Sequence, residues 1–142
     1  AQVLAEKGCD GFVFRGDDGI DEISLATSTT VLSIGEGEIK SDRIDAADFG
    51  ISNSPIEAIV GGDAEENARI SRAIFDGEHG APRDAVILNA GAAIAAFEGN
   101  LKLDIRERIA AGVHRAQDAV DSGAAKKLLE KWAALTQEIA SS

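Results

Sequence analysis

Phe12-Val-Phe-Arg-Gly-Asp-Asp-Gly-Ile-Asp-Glu-Ile-Ser24 is the stretch whose reading decides the fold. Three apolar residues, Phe12 to Phe14, break into a loop rich in Gly and Asp. That loop delivers two adjacent carboxylates, Asp21 and Glu22. The apolar run reads as a short strand, and its uniform character predicts burial on both faces. Strand, glycine loop and paired acids together are one way to hold Mg²⁺ beside a phosphate, because Mg²⁺ takes hard oxygen ligands and keeps several waters. Gly16 and Gly19 let such a loop turn tightly. An ordinary acidic surface loop is the competing reading, since Asp and Gly are residues that turns favour.

Outward from this stretch, Ala1 to Lys7 reads as a helix ended by Gly8. Downstream, Thr29-Thr-Val-Leu-Ser-Ile34 is rich in β-branched residues, and Gly35-Glu-Gly37 separates it from Glu38-Ile-Lys-Ser-Asp-Arg-Ile44. The pair predicts a β-hairpin with a glycine turn. A Gly-x-Gly can also cradle phosphate, but no helical pattern follows this one, which favours a plain turn. Asp45 to Gly50 reads as one helical turn, and Ser52-Asn-Ser-Pro55 as a loop.

The rest is helical. Asp63 is placed to cap a helix, with Glu66 completing a capping box and Ile70, Ala73 and Ile74 on one face. Gly77 ends it. Pro82 suits the first turn of the next helix, with Asp84 favourably placed against its dipole. The Ala-rich body of that helix, Ala85 to Phe97, predicts burial with close backbone approach. Ile105, Ile109, Val113, Ala116 and Val120 form the stripe of a further amphipathic helix, stopped by Ser122-Gly123. Leu128, Trp132, Leu135 and Ile139 form the stripe of the last, with Trp132 read as core or docking surface. One buried strand plus a hairpin, covered by about four helices, is an α/β arrangement with a partial sheet. Three strands make an incomplete sheet of this kind, so missing neighbours are expected.

The chain has 142 residues and a formal net charge of −11, from 25 acidic and 14 basic residues. Its length allows one domain with its own core. The charge argues against binding a nucleic-acid backbone or an anionic membrane, which need clustered Lys and Arg. It does not argue against a phosphorylated substrate bridged by a metal. No apolar run approaches the roughly 20 residues of a membrane span. The single cysteine, Cys9, excludes an internal disulfide and points to a reducing cytoplasm. Cys9 is read as a buried or partly buried residue, not a nucleophile. His79 and His114 lack partners at metal-ligand spacing and are read as surface residues.

Four segments carry a resemblance. Gly19-Ile-Asp-Glu-Ile-Ser24, Gly61-Gly-Asp-Ala-Glu-Glu-Asn-Ala68, Arg83-Asp-Ala-Val-Ile-Leu-Asn-Ala90 and Asp121-Ser-Gly-Ala-Ala125 occur in that order. The series resembles the C-terminal part of anthranilate phosphoribosyltransferase, a family that performs a step of tryptophan biosynthesis. The resemblance runs from about Ala1 to about Gln137. It implies that residues 1–142 are the C-terminal portion of an α/β domain of the nucleoside phosphorylase and phosphoribosyltransferase type. The N-terminal helical domain and the first half of the α/β domain would then be absent. It implies transfer of phosphoribosyl from phosphoribosyl pyrophosphate to anthranilate, with Mg²⁺ as cofactor and Asp21 and Glu22 as its ligands. No catalytic residue and no other cofactor-binding residue is assigned. The resemblance also implies a cytoplasmic homodimer formed through the helical domain.

One departure stands at the end of the strand. The family often has His-Gly there, and this chain has Arg15-Gly16. Arg15 is compatible with pairing to Asp17 or Asp18, with reaching a phosphate, or with simple solvation. The Gly61-Gly-Asp63 segment is not the family's substrate loop. It opens a helix, and Asp63 as its cap repels an anion. Asn89 is expected to bond a neighbouring loop, and Arg83 and Asp84 to tie helix to loop. The family's phosphoribosyl pyrophosphate loop, Lys-His-Gly-Asn segment and anthranilate-facing arginine region have no counterparts here. The isolated chain is therefore expected to be inactive. Two other readings stand beside this one: a nucleoside phosphorylase-like enzyme, and a non-catalytic binding domain of the same fold.

Overall fold

The structure is a computed structural model that describes residues 1–99 and 103–141. A short helix α1, Gln2–Glu6, leads into β1, Gly11–Gly16. β2, Thr29–Gly35, and β3, Glu38–Ile44, follow, and the three strands form one antiparallel sheet in the order β1-β2-β3. The predicted hairpin is present. Its two-residue connection, Glu36-Gly37, has positive φ at both positions, 53° and 79°, the requirement of a turn that matches the twist of its strands. Register follows, with Val31 opposite Phe14 on one side and Asp42 on the other.

Phe12, Val13 and Phe14 are half-buried, not covered on both faces as the apolar run implied. β1 lies at the sheet edge, so only β2 flanks it among the described residues. Phe12 and Phe14 pack against the core with their rings 5.7 Å apart. A single helical turn at Ala46–Phe49, closed by Gly50 in the left-handed region, carries the chain off the sheet as expected.

Two long helices share the core with the sheet, and two more pack against those helices. α2 is Ala64–Phe75, α3 Ala81–Glu98, α4 Ile105–Asp121 and α5 Ala124–Ala140. The Asp63 carboxylate caps α2 by accepting the Glu66 N–H at 2.9 Å. The other half of the expected capping box is not made. The Glu66 carboxylate turns outward and takes two hydrogen bonds from Arg69, each 2.8 Å. Those bonds, the largest influence on it, hold its carboxyl below the ordinary Glu value.

α3 and α4 form the centre of the molecule. Ile105, Ile109, Val113, Ala116 and Val120 are all buried, as the stripe required. They meet Ile87, Leu88, Ala92 and Ala95 of α3. The crossing is possible because both helices have glycine at the contact. A Cβ on Gly112 would stand 2.0 Å from the Gly91 carbonyl oxygen, and one on Gly91 would stand 2.6 Å from the Val113 nitrogen. α3 is not buried all round, however: Phe97 at its end is 93% exposed.

α5 departs from expectation. Its first turns dock, through Ala125 on the core and a 2.5 Å hydrogen bond from Lys126 Nζ to Asp76 of the segment after α2. Its stripe of Leu128, Trp132, Leu135 and Ile139 is exposed, so Trp132 is not core. Cys9 is exposed as well, because it lies in the connection between α1 and β1 and not within either element. No described helix is long and apolar enough to cross a membrane.

Candidate metal centre

The loop after β1 is built by its own short polar side chains. Gly16 is buried, and a Cβ there would stand 2.4 Å from Asp18 Oδ1 and 2.8 Å from Ile20 Cγ2. Gly19 takes φ of 95°. These two glycines allow the tight reversal in which the Gly16 N–H bonds the Ile20 carbonyl at 2.9 Å. Ser24 Oγ donates to Asp18 Oδ2 at 2.6 Å and accepts the Ala26 N–H at 2.9 Å. The Ser24 N–H is taken by Thr29 Oγ1 at 2.9 Å. Ile23 and Leu25 plug the core at 2% and 1% exposure. The loop is thus anchored directly after the acid pair.

A second anchor comes from α3. The Ile23 N–H donates to Asn89 Oδ1 at 2.9 Å, and Asn89 Nδ2 donates back to the Ile23 carbonyl at 3.3 Å. The same nitrogen reaches Ala85 O at 3.1 Å, so the half-buried amide is satisfied. Asn89 therefore bonds the residue next to Glu22, the loop contact expected of it. Asn67 performs the same operation on the facing loop. Its Oδ1 accepts the Gly62 N–H and its Nδ2 donates to the Gly62 carbonyl, both at 2.9 Å. Gly61 must be glycine for this, because a Cβ would lie 2.2 Å from Asn67 Oδ1.

Between these two clamped loops lies a cleft of about 350 Å³. Asp21 and Glu22 line it together with Val60, Gly61, Ile70 and Ser71. Of the four acids in the loop, two are occupied. Asp17 pairs with Arg43, and Asp18 takes Ser24 Oγ and the Ile20 N–H. Asp21 and Glu22 are exposed and have no hydrogen bond or ion pair among the described residues. Arg15 is exposed and forms no ion pair there either, so the pairing to Asp17 or Asp18 is not made.

A divalent cation fits this donor set in one particular way. The pair supplies two hard oxygen donors and no third His, Cys or carboxylate converges on them among the described residues. That is an incomplete shell, suited to an ion that keeps waters and takes further oxygens from a phosphorylated ligand. It does not suit a closed structural site.

Arg83 corrects one expectation and reveals a link the sequence did not. It ties α3 to the end of α4, not to a loop: Arg83 Nη2 donates to Asp121 Oδ1 at 2.6 Å. Arg83 is buried, its Nε lacks a partner, and the Asp121 side chain is 61% exposed. Asp84 makes no side-chain hydrogen bond among the described residues. His79 and His114 are exposed, as read. The segment from Arg83 to Ala90 thus joins two others, through Asn89 to Ile23 and through Arg83 to Asp121.

Residues 1–126 match the sequence family described as glycosyl transferase family, a/b domain. The chain belongs to that glycosyl transferase family. Among relatives of this family member, the anthranilate phosphoribosyltransferase of Rhodococcus jostii (strain RHA1) is 44% identical over all 142 residues of this chain and 39% of its own length. The anthranilate phosphoribosyltransferase of Thermus thermophilus superposes with a TM-score of 0.73 at 34% identity, over 92% of this chain and 37% of that one. That of Saccharomyces cerevisiae with Mg bound superposes with a TM-score of 0.77 at 24% identity, over 92% and 36%. This glycosyl transferase family chain therefore spans about two-fifths of the length of the curated relatives it matches.

Proposed function

We propose that this chain is the C-terminal part of the α/β domain of an anthranilate phosphoribosyltransferase acting in tryptophan biosynthesis. The observation that carries the reading is the 44% identity along the whole chain to an enzyme of that name. In the proposed reaction the anthranilate amine nitrogen bonds to C1 of phosphoribosyl pyrophosphate. The C1–O bond breaks, pyrophosphate leaves with the electron pair, and the amine loses a proton to solvent. Asp21 and Glu22 would hold Mg²⁺, which when bound neutralises pyrophosphate oxygens. A solved relative of this fold has Mg bound, which supports that choice of ion.

The chain's own residues hold that pair in place. Asn89 fixes the backbone after Glu22, Ile23 and Leu25 seat it in the core, and Arg43 and Ser24 occupy the neighbouring acids. With Asp17 and Asp18 so engaged, Asp21 and Glu22 are the acids of this loop left free for a cation. Arg15 is the nearest cation in sequence and is free to meet a phosphate.

The remaining substrate contacts and a homodimer contact would come from an upstream helical region, and the assembled enzyme would work in the cytoplasm. Its substrate partners are phosphoribosyl pyrophosphate and anthranilate, not nucleic acid or membrane. The chain alone is inactive on this reading. The test follows anthranilate fluorescence with phosphoribosyl pyrophosphate and Mg²⁺, using the chain and the chain extended by its upstream region. Loss of signal only with the extended protein supports the proposal. No loss with a well-folded extended protein, or equal loss with both, overturns it.

A further inference from the structure

A second cavity lies at the opposite end of the sheet from Asp21 and Glu22. β1 ends beside the acid loop at Gly16, opposite Thr29, and begins at Gly11, opposite Ile34. Near that beginning, a cleft of about 370 Å³ opens between the sheet and the first turns of α4. Ser33, Lys40 and Asp42 line it from the sheet, and Asp104, Ile105 and Arg108 from α4 and its cap. Its size falls in the range of small-molecule pockets.

Two polar atoms of residues lining this cleft, Ser33 Oγ and Arg108 Nε, are buried without hydrogen-bond partners. Arg108 is 8% exposed. Among the described residues the guanidinium has one hydrogen bond, from Nη2 to the Ala95 carbonyl at 3.3 Å, and it rests 4.8 Å over the Phe12 ring. No carboxylate stands within ion-pair distance of it among the described residues. Burial accordingly pushes Arg108 below the ordinary arginine value, with Asp10 opposing. A cation so placed is costly unless something neutralises it.

The surroundings narrow what that something is. Lys40 adds a second positive charge, but Glu36, Glu38, Asp42 and Asp104 also line the cleft. A simple anion meets those carboxylates, and a simple cation meets Arg108. A ligand with one charge of each sign satisfies both. Leu103 and Ile105 add an apolar wall.

We infer that this cleft, lined by Ser33 and Arg108, binds a small zwitterion of the α-amino-acid class carrying an apolar side chain. The carboxylate takes hydrogen bonds from Arg108 and Ser33, and the ammonium faces Asp42 and Asp104. The inference is independent of the proposed transferase activity, because the two sites share no residue.

The test is calorimetric titration of the 142-residue chain with L-leucine, with leucinamide and N-acetyl-L-leucine as ligands that each lack one charge. L-Leucine is expected to saturate with a Kd of about 1 mM or tighter, and each single-charge analogue to bind at least about tenfold weaker. Arg108→Gln is expected to abolish binding and Ser33→Ala to weaken it several-fold. Because Arg108 supports the core, Ser33→Ala decides the matter if Arg108→Gln fails to fold by circular dichroism. No saturation by L-leucine up to about 10 mM overturns the site. So does equal binding of leucinamide, which needs no contact to Arg108, or unchanged affinity in Ser33→Ala.

Discussion

Asn89 on α3 holds both backbone groups of Ile23, accepting from its N–H at 2.9 Å and donating to its carbonyl at 3.3 Å. One side chain thus fixes the position of the residue that follows the Asp21–Glu22 pair. Asn89→Ala leaves the Ile23 N–H without its acceptor, at a cost of about 1–3 kcal/mol. The expected result is a lower denaturant midpoint with unchanged helical content. An unchanged midpoint would show that solvent replaces the clamp.

The α3–α4 crossing makes a second prediction. Gly112→Ala brings a methyl group to 2.0 Å from the Gly91 carbonyl oxygen, where backbone must move. Alanine ordinarily favours a helix by about 1 kcal/mol over glycine. Here the overpacking cost, about 1–3 kcal/mol or more, is expected to win and destabilise the fold. His114→Ala, on the exposed side of the same helix, is the control and should lie within about 0.5 kcal/mol of the parent. Equal midpoints for the two variants would refute the close contact.

Asp121→Asn tests the link between the third and fourth segments. Arg83 is buried and Asp121 is largely exposed, so solvent screens part of the pair. Removing the carboxylate's charge is expected to cost about 1–3 kcal/mol, less than a wholly buried pair. Asp118→Asn, exposed on the same helix, should leave the thermal midpoint in place. A matching loss in both would assign the effect to general surface charge.

The Glu66–Arg69 pair has a pH signature. Arg69 hydrogen bonds hold the Glu66 carboxyl below its ordinary value of 4.5. A lowered carboxyl contributes stability that is full above the unfolded value and is lost as pH falls through the folded one. NMR titration of the Glu66 side chain should therefore show an apparent pKa that rises when Arg69 is replaced by Ala. No rise would mean that the two hydrogen bonds do not persist in solution.

Much of this architecture is legible in the chain. Gly37 in the Gly35-Glu-Gly37 turn marks the hairpin, while the other positive-φ position of the turn is taken by Glu36. The five residues of the stripe from Ile105 to Val120 are all buried, while Arg108 and Gly112, buried on the same helix, lie outside any apolar pattern. The Asp63 cap is equally readable. What stays hidden depends on partners distant in sequence. Arg83 and Asp121 are 38 residues apart, and nothing local distinguishes Arg83 from a solvated arginine. The stripe from Leu128 to Ile139 says that α5 has an apolar face, but periodicity cannot say what covers it, and here it is exposed. The half-burial of Phe12 to Phe14 has the same origin, since an apolar run does not reveal its position within a sheet. Of the candidate site, residue types single out Asp21 and Glu22 as candidates only. Their freedom emerges only when Arg43 and Ser24 are seen to engage the neighbouring acids.

The most direct measurement is the Mg²⁺ dependence of anthranilate consumption by the chain joined to the proposed upstream region, compared with Asp21→Asn and Glu22→Gln in the same protein. Each variant is expected to fold normally, lose about 10²–10³-fold in rate at low Mg²⁺, and need more Mg²⁺ for half-maximal activity. Variants that keep the parent's rate and Mg²⁺ dependence would contradict the assignment of the pair to the cation.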